Sequence, residues 1–370
     1  MLWKIHRYLV CRNLVGRRRV SMNKILLEDI TNIANSKMVA WDKLEGKSIF
    51  VTGATGLIGS QIVLGIDQHN KLYGTNIKIY ALARNPKKAD KLFGECSENV
   101  ITVVGDMCSP YSIEGDVDYI VHGASMTSSK DFVEKAVETI LTGINSTANI
   151  LNFAREKKVS GFVYLSSLEA YGVTDPNLKS VKETDYGFID QLSPRSSYSE
   201  GKRMAECLCA SYASEYGVPA KIVRLCQTFG AGVDYSDNRV FAQFAKSAIE
   251  GKDIILKTKG ETYRNYCYTS DAVTGILCVL LDGNVAEAYN IANPATGISI
   301  ADMAKLVADK LSDGKIKVCF DIAEDVTKLG YGPTIKVALD TTKLEAIGWK
   351  ASVDLEETFR RTIEYMKDTR

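Results

Sequence analysis

Short apolar runs alternate with longer segments of mixed polarity as far as about Gly230. The apolar runs are Lys47–Thr52, Ile77–Ala83, Val100–Val104, Asp118–His122, Gly161–Ser166 and Lys221–Leu225. The segments between them predict helices at Leu57–Gln68, about Phe132–Lys157 and Ser197–Tyr216. Near-continuous apolar strands between helices are typical of a parallel sheet that is covered on both faces. The pattern therefore predicts an α/β fold with a Rossmann doubly wound parallel sheet.

After Gly230 the alternation becomes less regular. Helices are predicted at about Asn238–Glu250, after Asp271, at Ile300–Leu311 and within Leu339–Lys367, and strands at Asp253–Lys257, Tyr266–Thr269 and Ala288–Ile291. The strand at Tyr266–Thr269 is expected to return to the main sheet. We expect the rest to form a smaller C-terminal lobe over the carboxyl ends of the strands, where open α/β sheets bind ligands.

Three segments follow from this pattern. Residues 1–45 form a leader and a lead-in helix, the helix being a short amphipathic stretch within residues 25–45. Residues 46–230 form the main domain. Residues 231–370 mainly form the smaller lobe, with residues 264–292 returning to the main domain.

A glycine-rich turn joins the first predicted strand to the first predicted helix. Its sequence is Gly53-Ala-Thr-Gly56-Leu57-Ile58-Gly59. The first glycine permits a tight turn, the second lets the backbone approach a phosphate, and the third lets helix and strand pack closely. The N–H groups at the start of the helix then face a dinucleotide pyrophosphate. The alternative is a glycine-rich turn that binds no ligand.

Residues after the later strands suggest how the dinucleotide is held. An NAD site commonly has an acid near Ala83, but Arg84 follows instead, and arginine suits a 2′-phosphate. This favours NADP over NAD, unless Arg84 belongs to a solvated basic loop. Asp106 and Met107 are placed to meet the adenine, and Ala124 lies on the nicotinamide side.

Tyr198 and Lys202 lie four residues apart on a predicted helix, so they share one face. Lowering a tyrosine pKa from about 10 to about 7 requires roughly 4 kcal/mol, which a nearby ammonium group and an oxidised nicotinamide can supply. The phenolate can then accept a hydroxyl proton. Ser167 is expected to donate to the same oxygen, and Glu169 to act as a second acid or base. The alternatives are a chance Tyr/Lys spacing and a surface-loop glutamate.

Composition excludes several classes of function. The chain has 370 residues, is 45% hydrophobic and carries a net charge of +1, so no nucleic-acid partner is implied. Its nine cysteines and three histidines have no zinc-ligand spacing, so no metal site is expected, and scattered cysteines suggest reduced thiols in the cytoplasm. No run is long and apolar enough for a transmembrane helix.

The first 22 residues differ from the rest of the chain in charge. They contain six basic residues and no acid, which leaves a net charge of −5 for the remainder. A targeting peptide is one interpretation. We favour the other, in which Met22 begins the protein, because the segment lacks an apolar core and a cleavage site.

Taken together, these motifs resemble the extended short-chain dehydrogenase/reductase superfamily, in its nucleotide-sugar epimerase/dehydratase branch. The resemblance covers most of residues 46–367, and Pro194–Arg203 looks most like UDP-glucuronate decarboxylases. It implies that Tyr198 is the base for C4 oxidation, with Lys202, Ser167 and Glu169 around it. It also implies a homodimer. Residues implied to contact the nucleotide diphosphate are Gln227, Arg239 and Arg264.

Three positions depart from that family's pattern. Leu168 replaces the Asp of dehydratases and the Ser of decarboxylases before the glutamate, Gln227 replaces an Asn, and Ala83 replaces the acid of the NAD site. Simple dehydration is in doubt without the Asp.

Three hypotheses for function remain open. The first is an enzyme that oxidises a nucleotide sugar at C4 to a 4-keto intermediate, of decarboxylase, dehydratase or epimerase type, with NAD or NADP as cofactor. The second is an NADPH-consuming nucleotide-sugar or aldehyde reductase, which Arg84 favours. The third is a non-catalytic dinucleotide-binding regulator, which the intact Ser167, Tyr198 and Lys202 disfavour.

Overall fold

The computed structural model describes residues 22–109, 112–126, 130–322 and 334–370. Its strands are β1 (Ser48–Thr52), β2 (Lys78–Ala83), β3 (Val100–Val104), β4 (Tyr119–His122), β5 (Gly161–Ser167), β6 (Ala220–Leu225), β7 (Gln227–Phe229), β8 (Ile254–Leu256), β9 (Tyr263–Tyr268), β10 (Ala288–Ile291), β11 (Asn293–Ser299), β12 (Val318–Phe320) and β13 (Lys336–Val337). Its α-helices are α1 (Lys24–Ala34), α2 (Leu57–Tyr73), α3 (Pro86–Phe93), α4 (Asp131–Glu134), α5 (Ala136–Lys157), α6 (Ser197–Tyr216), α7 (Val240–Glu250), α8 (Thr269–Asp282), α9 (Ile300–Lys310), α10 (Thr342–Glu345) and α11 (Leu355–Thr369). Among the helices of these ranges, none is long and apolar enough to span a bilayer.

A seven-stranded parallel sheet forms the centre of the main domain, in the order β10-β6-β5-β4-β1-β2-β3. Its strands are apolar on both faces because both faces are covered: Ile49 and Val51 of β1 belong to one buried cluster, and Phe50 between them belongs to another. The chain builds outward from β1 to β3 and then crosses back to β4. Because the strand order reverses between β1 and β4, a ligand crevice opens there. The predicted Rossmann fold is confirmed.

A smaller lobe forms from two short sheets and three helices. One sheet has the order β11-β9-β13, with β7 also pairing with β9, and the other pairs β12 with β8. Helices α7, α9 and α11 pack against one another in this lobe. Its core is aromatic: Phe229 stacks on Phe241 and meets Phe359 edge-on.

The strand near Tyr266 differs from the expectation. The pattern places a return to the main sheet at Tyr266–Thr269, whereas β9 pairs with β7, β11 and β13 in the smaller lobe. The return begins one element later, where α8 packs on β5 and β6 and β10 pairs with β6. Alternating polarity alone does not specify which sheet a short strand joins.

The helix expected over Phe132–Lys157 is interrupted. Lys135 separates α4 from α5, with φ −133° and ψ 49°, which is not helical. A tertiary contact accounts for the break, since the hydroxyl of Ser197 donates to the carbonyl of Phe132 at 2.8 Å. That carbonyl bonds to α6 instead of continuing the helical ladder.

The lead-in helix α1 connects the two lobes. Asp29 of α1 accepts hydrogen bonds from the Tyr268 hydroxyl at 2.6 Å and from Nη2 of Arg361 at 2.8 Å. Tyr268 ends β9, and Arg361 lies on α11 of the smaller lobe, while α1 also packs on α2 of the main domain. The predicted leader, residues 1–21, lies outside the described residues.

Candidate active site

The glycine turn is packed too tightly for side chains. Gly53 has φ +69°, and a Cβ there would lie 2.9 Å from the backbone of Gly123 and Ala124 at the end of β4. A Cβ on Gly59 would lie 2.2 Å from the carbonyl oxygen of Gly53. Gly56 precedes α2 with extended backbone and no side-chain cap on the helix. The turn therefore fits a phosphate group approaching the first N–H groups of α2.

A second edge of the crevice carries the residues expected near the adenosine. Ala83 ends β2 and is buried, and Arg84 after it is exposed. Asp106 accepts a hydrogen bond from the backbone N–H of Cys108 at 2.8 Å, and Met107 is buried. Partial burial and Asp106 raise the pKa of the Cys108 thiol, whereas the charge of Arg84 lowers it. Arg84 therefore lies close to the loop that contains Asp106 and Cys108. The edge has a cation where an NAD site commonly has an acid.

His122, at the end of β4, is held neutral inside the protein. Its Nδ1 lies 2.7 Å from Oγ1 of Thr52, and its Nε2 lies 3.2 Å from Oγ1 of Thr147. Burial, together with the charge of Lys202, lowers the pKa of His122 to about 3. Thr52 also accepts a hydrogen bond from the backbone N–H of Ala124 at 3.3 Å. His122 therefore orders the strand end rather than transferring protons.

Tyr198 lies on the first turn of α6, where its ring stacks on Phe132 with centroids 4.2 Å apart. Burial raises the pKa of Tyr198 above its ordinary value, and the nearby Glu169 raises it further. A hydrogen bond with Ser167 lowers it, as do the charges of Arg195 and Arg239. The structure thus brings Ser167, Glu169 and Arg239 to Tyr198. The net direction is upward because burial outweighs the favourable contacts, so these contacts alone do not supply the lowering for which the sequence interpretation also invokes an oxidised nicotinamide.

Lys202 lies on the same face of α6 as Tyr198, below its ring. Its Nζ donates to the carbonyl of Leu165 at 2.7 Å and lies 5.6 Å from the centroid of the Tyr198 ring. Burial lowers the pKa of Lys202 to about 8, and Glu206 counteracts this. Lys202 is therefore a buried cation at neutral pH, fixed to β5 between the rings of Tyr164 and Tyr198, whose centroids lie 4.7 and 5.6 Å from its Nζ.

Glu169 forms a two-pronged ion pair with Arg195. The Nη1–Oε2 and Nη2–Oε1 distances are 3.0 and 3.2 Å, and the hydroxyl of Ser199 lies 3.4 Å from Oε2. The side chain of Arg195 remains 33% exposed and that of Glu169 26% exposed. The guanidinium carbon of Arg195 lies 5.0 Å from the centroid of the Phe132 ring, which also stacks on Tyr198.

Arg195 is a residue of this site to which the sequence pattern assigns no role. It lies in a short 3₁₀ helix, Pro194–Ser196, directly before α6. Its position three residues before Tyr198 is the one available signal. That signal does not identify Glu169, which is 26 residues away in the chain, as its partner.

A second arginine–glutamate pair lies behind the first, inside the protein. Oε1 of Glu206 accepts hydrogen bonds from the hydroxyl of Ser166 at 2.5 Å and from Nε of Arg224 at 3.1 Å. Its Oε2 accepts from Nη2 of Arg224 at 2.7 Å. Nη1 of Arg224 donates to the carbonyl of Glu183 at 2.7 Å. This pair joins β5, β6 and α6 beneath the candidate catalytic residues.

The expected substrate residues lie on the smaller lobe. Gln227 begins β7 and is paired in register with Tyr266 of β9. Arg264 lies two residues before Tyr266 and so on the same face of β9. Nε of Arg264 and the hydroxyl of Tyr266 are buried and have no hydrogen-bond partner among the described residues. Arg239 precedes α7 and binds Asp237, with 2.6 Å between Nη2 and Oδ2.

These unpartnered donors are informative because buried polar groups are rarely left without a partner. Burial raises the pKa of Tyr266 to about 12 against the opposing effect of the Arg264 charge, so the two side chains interact. Tyr266 is a second residue that the sequence pattern does not identify. The two donors suit a ligand with acceptor oxygens, such as phosphate.

The chain is similar to one family model and to proteins of known function. Residues 49–292 match the model of the NAD dependent epimerase/dehydratase family. Over 325 residues the chain is 31% identical to UDP-glucuronic acid decarboxylase 1 of Xenopus tropicalis, covering 87% of this chain and 72% of that protein.

Solved structures with the same fold are more distant in sequence. UDP-glucose 4-epimerase of Thermotoga maritima, solved with UDP-glucose, is 22% identical with a TM-score of 0.71, over 87% of this chain and 99% of that one. A dTDP-glucose 4,6-dehydratase of Streptomyces venezuelae, solved with NAD bound, is 22% identical with a TM-score of 0.70, over 87% and 98% of the two chains.

Proposed function

Because this chain belongs to the NAD dependent epimerase/dehydratase family, we propose that it is an enzyme that oxidises a nucleotide sugar at C4 to a 4-keto intermediate. One observation carries the proposal: Ser167 and Lys202 lie close to Tyr198, with Nζ of Lys202 5.6 Å from the centroid of the Tyr198 ring, in a fold whose glycine turn fits a dinucleotide. The relatives named as UDP-glucuronic acid decarboxylases favour a UDP-uronic acid as the substrate and loss of CO2 as the outcome.

Each candidate catalytic residue has a role in this scheme. Tyr198 accepts the proton of the sugar's 4-hydroxyl group, and Ser167 hydrogen-bonds to the same oxygen. NAD, when bound, supplies the acceptor for the hydride that leaves C4. Since burial raises the pKa of Tyr198, positive charge is required to favour the phenolate, and Lys202 is the buried cation on the same helix face. Glu169, whose charge acts on Tyr198, is the carboxylate that would serve as the second base.

The ligand contacts divide between the two lobes. The dinucleotide is held by Gly53, Gly56, Leu57, Ile58, Gly59, Arg84, Asp106, Met107, Ala124, Tyr198 and Lys202. The diphosphate of the sugar nucleotide is held by Gln227, Arg239 and Arg264. Support for the second set comes from the buried, unpartnered Nε of Arg264, which suits a phosphate oxygen.

The purified full chain tests this function with a panel of UDP-, dTDP-, GDP- and CDP-sugars, followed by mass spectrometry of the products. Loss of CO2, loss of water or an unchanged mass distinguishes a decarboxylase, a dehydratase and an epimerase. Tyr198→Phe should abolish turnover. Tyr212→Phe is the matched control, because Tyr212 lies on the same helix with its hydroxyl bonded to Asn152 at 2.8 Å. No product from any sugar, or full activity in Tyr198→Phe, would contradict the proposal.

NADP is proposed as the preferred dinucleotide on the basis of two residues. Ala83 lacks a carboxylate for the ribose hydroxyl groups, and Arg84 places a cation beside the same loop. Denaturing the purified protein and identifying the released dinucleotide tests this. Ala83→Asp should shift binding toward NAD, and an unchanged preference would mean that Arg84 is only a solvated cation.

A reductase that consumes NADPH is the second candidate, because Arg84 favours that cofactor. It predicts stoichiometric loss of NADPH with a 4-keto nucleotide sugar, whereas the first scheme predicts no net consumption. A non-catalytic regulator is disfavoured, since Ser167, Tyr198 and Lys202 form a connected group that simple dinucleotide binding does not need.

A homodimer is proposed through α5 and α6, which pack side by side. Val137 and Leu141 lie one turn apart on α5 and are 66% and 48% exposed, and Met204 on α6 is 51% exposed. Val137→Glu with Leu141→Glu should convert a dimer to a monomer in sedimentation experiments. Val285→Glu is the control, because Val285 is 49% exposed but lies on neither of these helices.

A cytoplasmic location is proposed from the thiols. The eight cysteines within the described ranges are all free, which is typical of a reducing compartment. Fractionation of cells that express the full chain tests this.

A further inference from the structure

Arg195 occupies a position that the proposed chemistry does not yet use. Its guanidinium holds both carboxylate oxygens of Glu169, at 3.0 and 3.2 Å. It also lies 5.0 Å from the centroid of the Phe132 ring, on which Tyr198 stacks. Arg195 and Tyr198 therefore contact the same aromatic ring, and the charge of Arg195 also reaches the Tyr198 hydroxyl, whose pKa it lowers.

The other cations near Tyr198 are committed to different partners. Lys202 is buried and donates to the carbonyl of Leu165. Arg239 binds Asp237, two residues before it, and lies on the smaller lobe. Arg195 is 33% exposed, and its charge is felt at Tyr198, where it lowers the pKa of the hydroxyl. Of these cations, Arg195 best combines closeness to Tyr198 with access for a ligand.

Charge balance explains why a cation is needed here. Glu169 is close enough to Tyr198 to raise its pKa, so it would repel a second carboxylate brought to the same place. A guanidinium group has five N–H donors, and Arg195 uses two of them on Glu169. The pair is part exposed, and such pairs contribute little to stability, so the guanidinium can exchange or share its partner.

We propose that Arg195 is a specificity-determining residue that binds the carboxylate of a uronic acid beside Tyr198, with Glu169 holding the guanidinium in place until that carboxylate arrives. This inference rests on the proposed function and defines its substrate class as a nucleotide sugar with a carboxylate at C5. A neutral hexose offers no charged acceptor for Arg195, so this residue favours UDP-glucuronate over UDP-glucose.

Calorimetric titration of the full chain with these two nucleotide sugars tests the inference. Arg195→Gln should weaken UDP-glucuronate binding by about 10- to 100-fold, because a charge-assisted pair is lost. The same variant should change UDP-glucose binding by less than about 3-fold. Arg195→Lys should restore part of the discrimination, since lysine keeps the positive charge but lacks the paired N–H donors of the guanidinium group. Arg239→Gln is the control and should weaken both ligands alike through the shared diphosphate.

The outcomes separate the inference from the function on which it rests. Equal loss of both sugars in Arg195→Gln, or no loss of either, overturns the role of Arg195 and leaves the proposed function intact. Failure of the unsubstituted protein to bind any nucleotide sugar overturns both. Circular dichroism of each variant distinguishes loss of binding from loss of fold. Unfolding of Arg195→Gln without recovery in Arg195→Lys would assign Arg195 a structural role and overturn the inference.

Discussion

Two arginine–glutamate pairs lie at the end of β5, and they differ chiefly in burial. Arg224 and Glu206 have side chains that are 1% and 8% exposed, whereas Arg195 and Glu169 are 33% and 26% exposed. In both pairs the guanidinium bonds to both carboxylate oxygens. Similar chemistry therefore occurs in two environments of different burial.

The buried pair is enclosed by further hydrogen-bond partners, whereas the exposed pair is open to solvent. Glu206 accepts a further hydrogen bond from Ser166, and Arg224 donates further to the carbonyl of Glu183 and the hydroxyl of Tyr186. A buried charge without a partner is costly, so this group cannot rearrange and acts as a scaffold for the strand end. The exposed pair costs little to break and can accept a ligand. Burial, rather than residue type, separates the supporting pair from the reacting one.

Removal of one buried partner is expected to have the largest effect on stability. Arg224→Met leaves the carboxylate of Glu206 buried beside an apolar side chain, which should lower the free energy of unfolding by ~3–5 kcal/mol. Arg195→Met is the matched control and should cost no more than about 1 kcal/mol. Urea denaturation of both variants measures the difference. Equal losses would mean that burial does not distinguish the two pairs.

Lys202 extends the comparison, because Glu206 of the buried pair also acts on its pKa. Burial lowers the pKa of Lys202 from 10.5 to about 8, so keeping it protonated costs stability at neutral pH. Lys202→Met removes the cost of the buried charge but also loses the hydrogen bond to the Leu165 carbonyl. The net effect should be a rise of ~2 kcal/mol in the free energy of unfolding at pH 7. The same change should lower turnover by ~10²-fold or more.

The pH dependence gives the sign of this effect. A pKa lowered in the folded state makes the native protein bind fewer protons than the unfolded chain between pH 8 and 10.5, so stability rises with pH over that interval. The advantage of Lys202→Met should therefore be full below about pH 8 and disappear as the pH approaches 10.5. Denaturation curves across this range measure it. A constant advantage would contradict burial as its cause.

Lys221 provides the control for activity. It is also buried, its pKa is also lowered by burial, and its Nζ donates to the carbonyl of Leu280 at 2.5 Å. Lys221→Met should change stability in the same direction but leave turnover unaffected, because Lys221 lies outside the candidate site. Loss of activity in both variants would point to a general structural effect.

Local features of this site can be predicted from the sequence. The glycines at 53, 56 and 59 follow from the chemistry of one turn, and Tyr198 and Lys202 follow from helical spacing. Partners distant in the chain cannot be predicted in this way. Arg195 meets Glu169 across 26 residues, and the carbonyl of Phe132 meets Ser197 across 65, which breaks the expected helix at Lys135.

Burial is the other quantity that the sequence does not provide. The sequence predicts that Lys202 and an oxidised nicotinamide together lower the tyrosine pKa, but it does not reveal that desolvation and the nearby Glu169 raise that pKa in the folded protein. Similarly, no local pattern identifies the unpartnered donors of Arg264 and Tyr266, which depend on how β9 packs in the smaller lobe.

Glu169→Gln should have the smallest effect on stability and still affect the reaction. The substitution preserves shape and removes the charge of a part-exposed pair, so the free energy of unfolding should change by no more than about 1 kcal/mol. Turnover should fall by ~10²-fold if Glu169 transfers a proton beside C4. Glu206→Gln is the matched control and should destabilise the fold more, because it leaves Arg224 buried with a neutral partner. Parallel assays of turnover and urea denaturation separate the two glutamates, and unchanged turnover in Glu169→Gln would reduce Glu169 to a surface-loop acid.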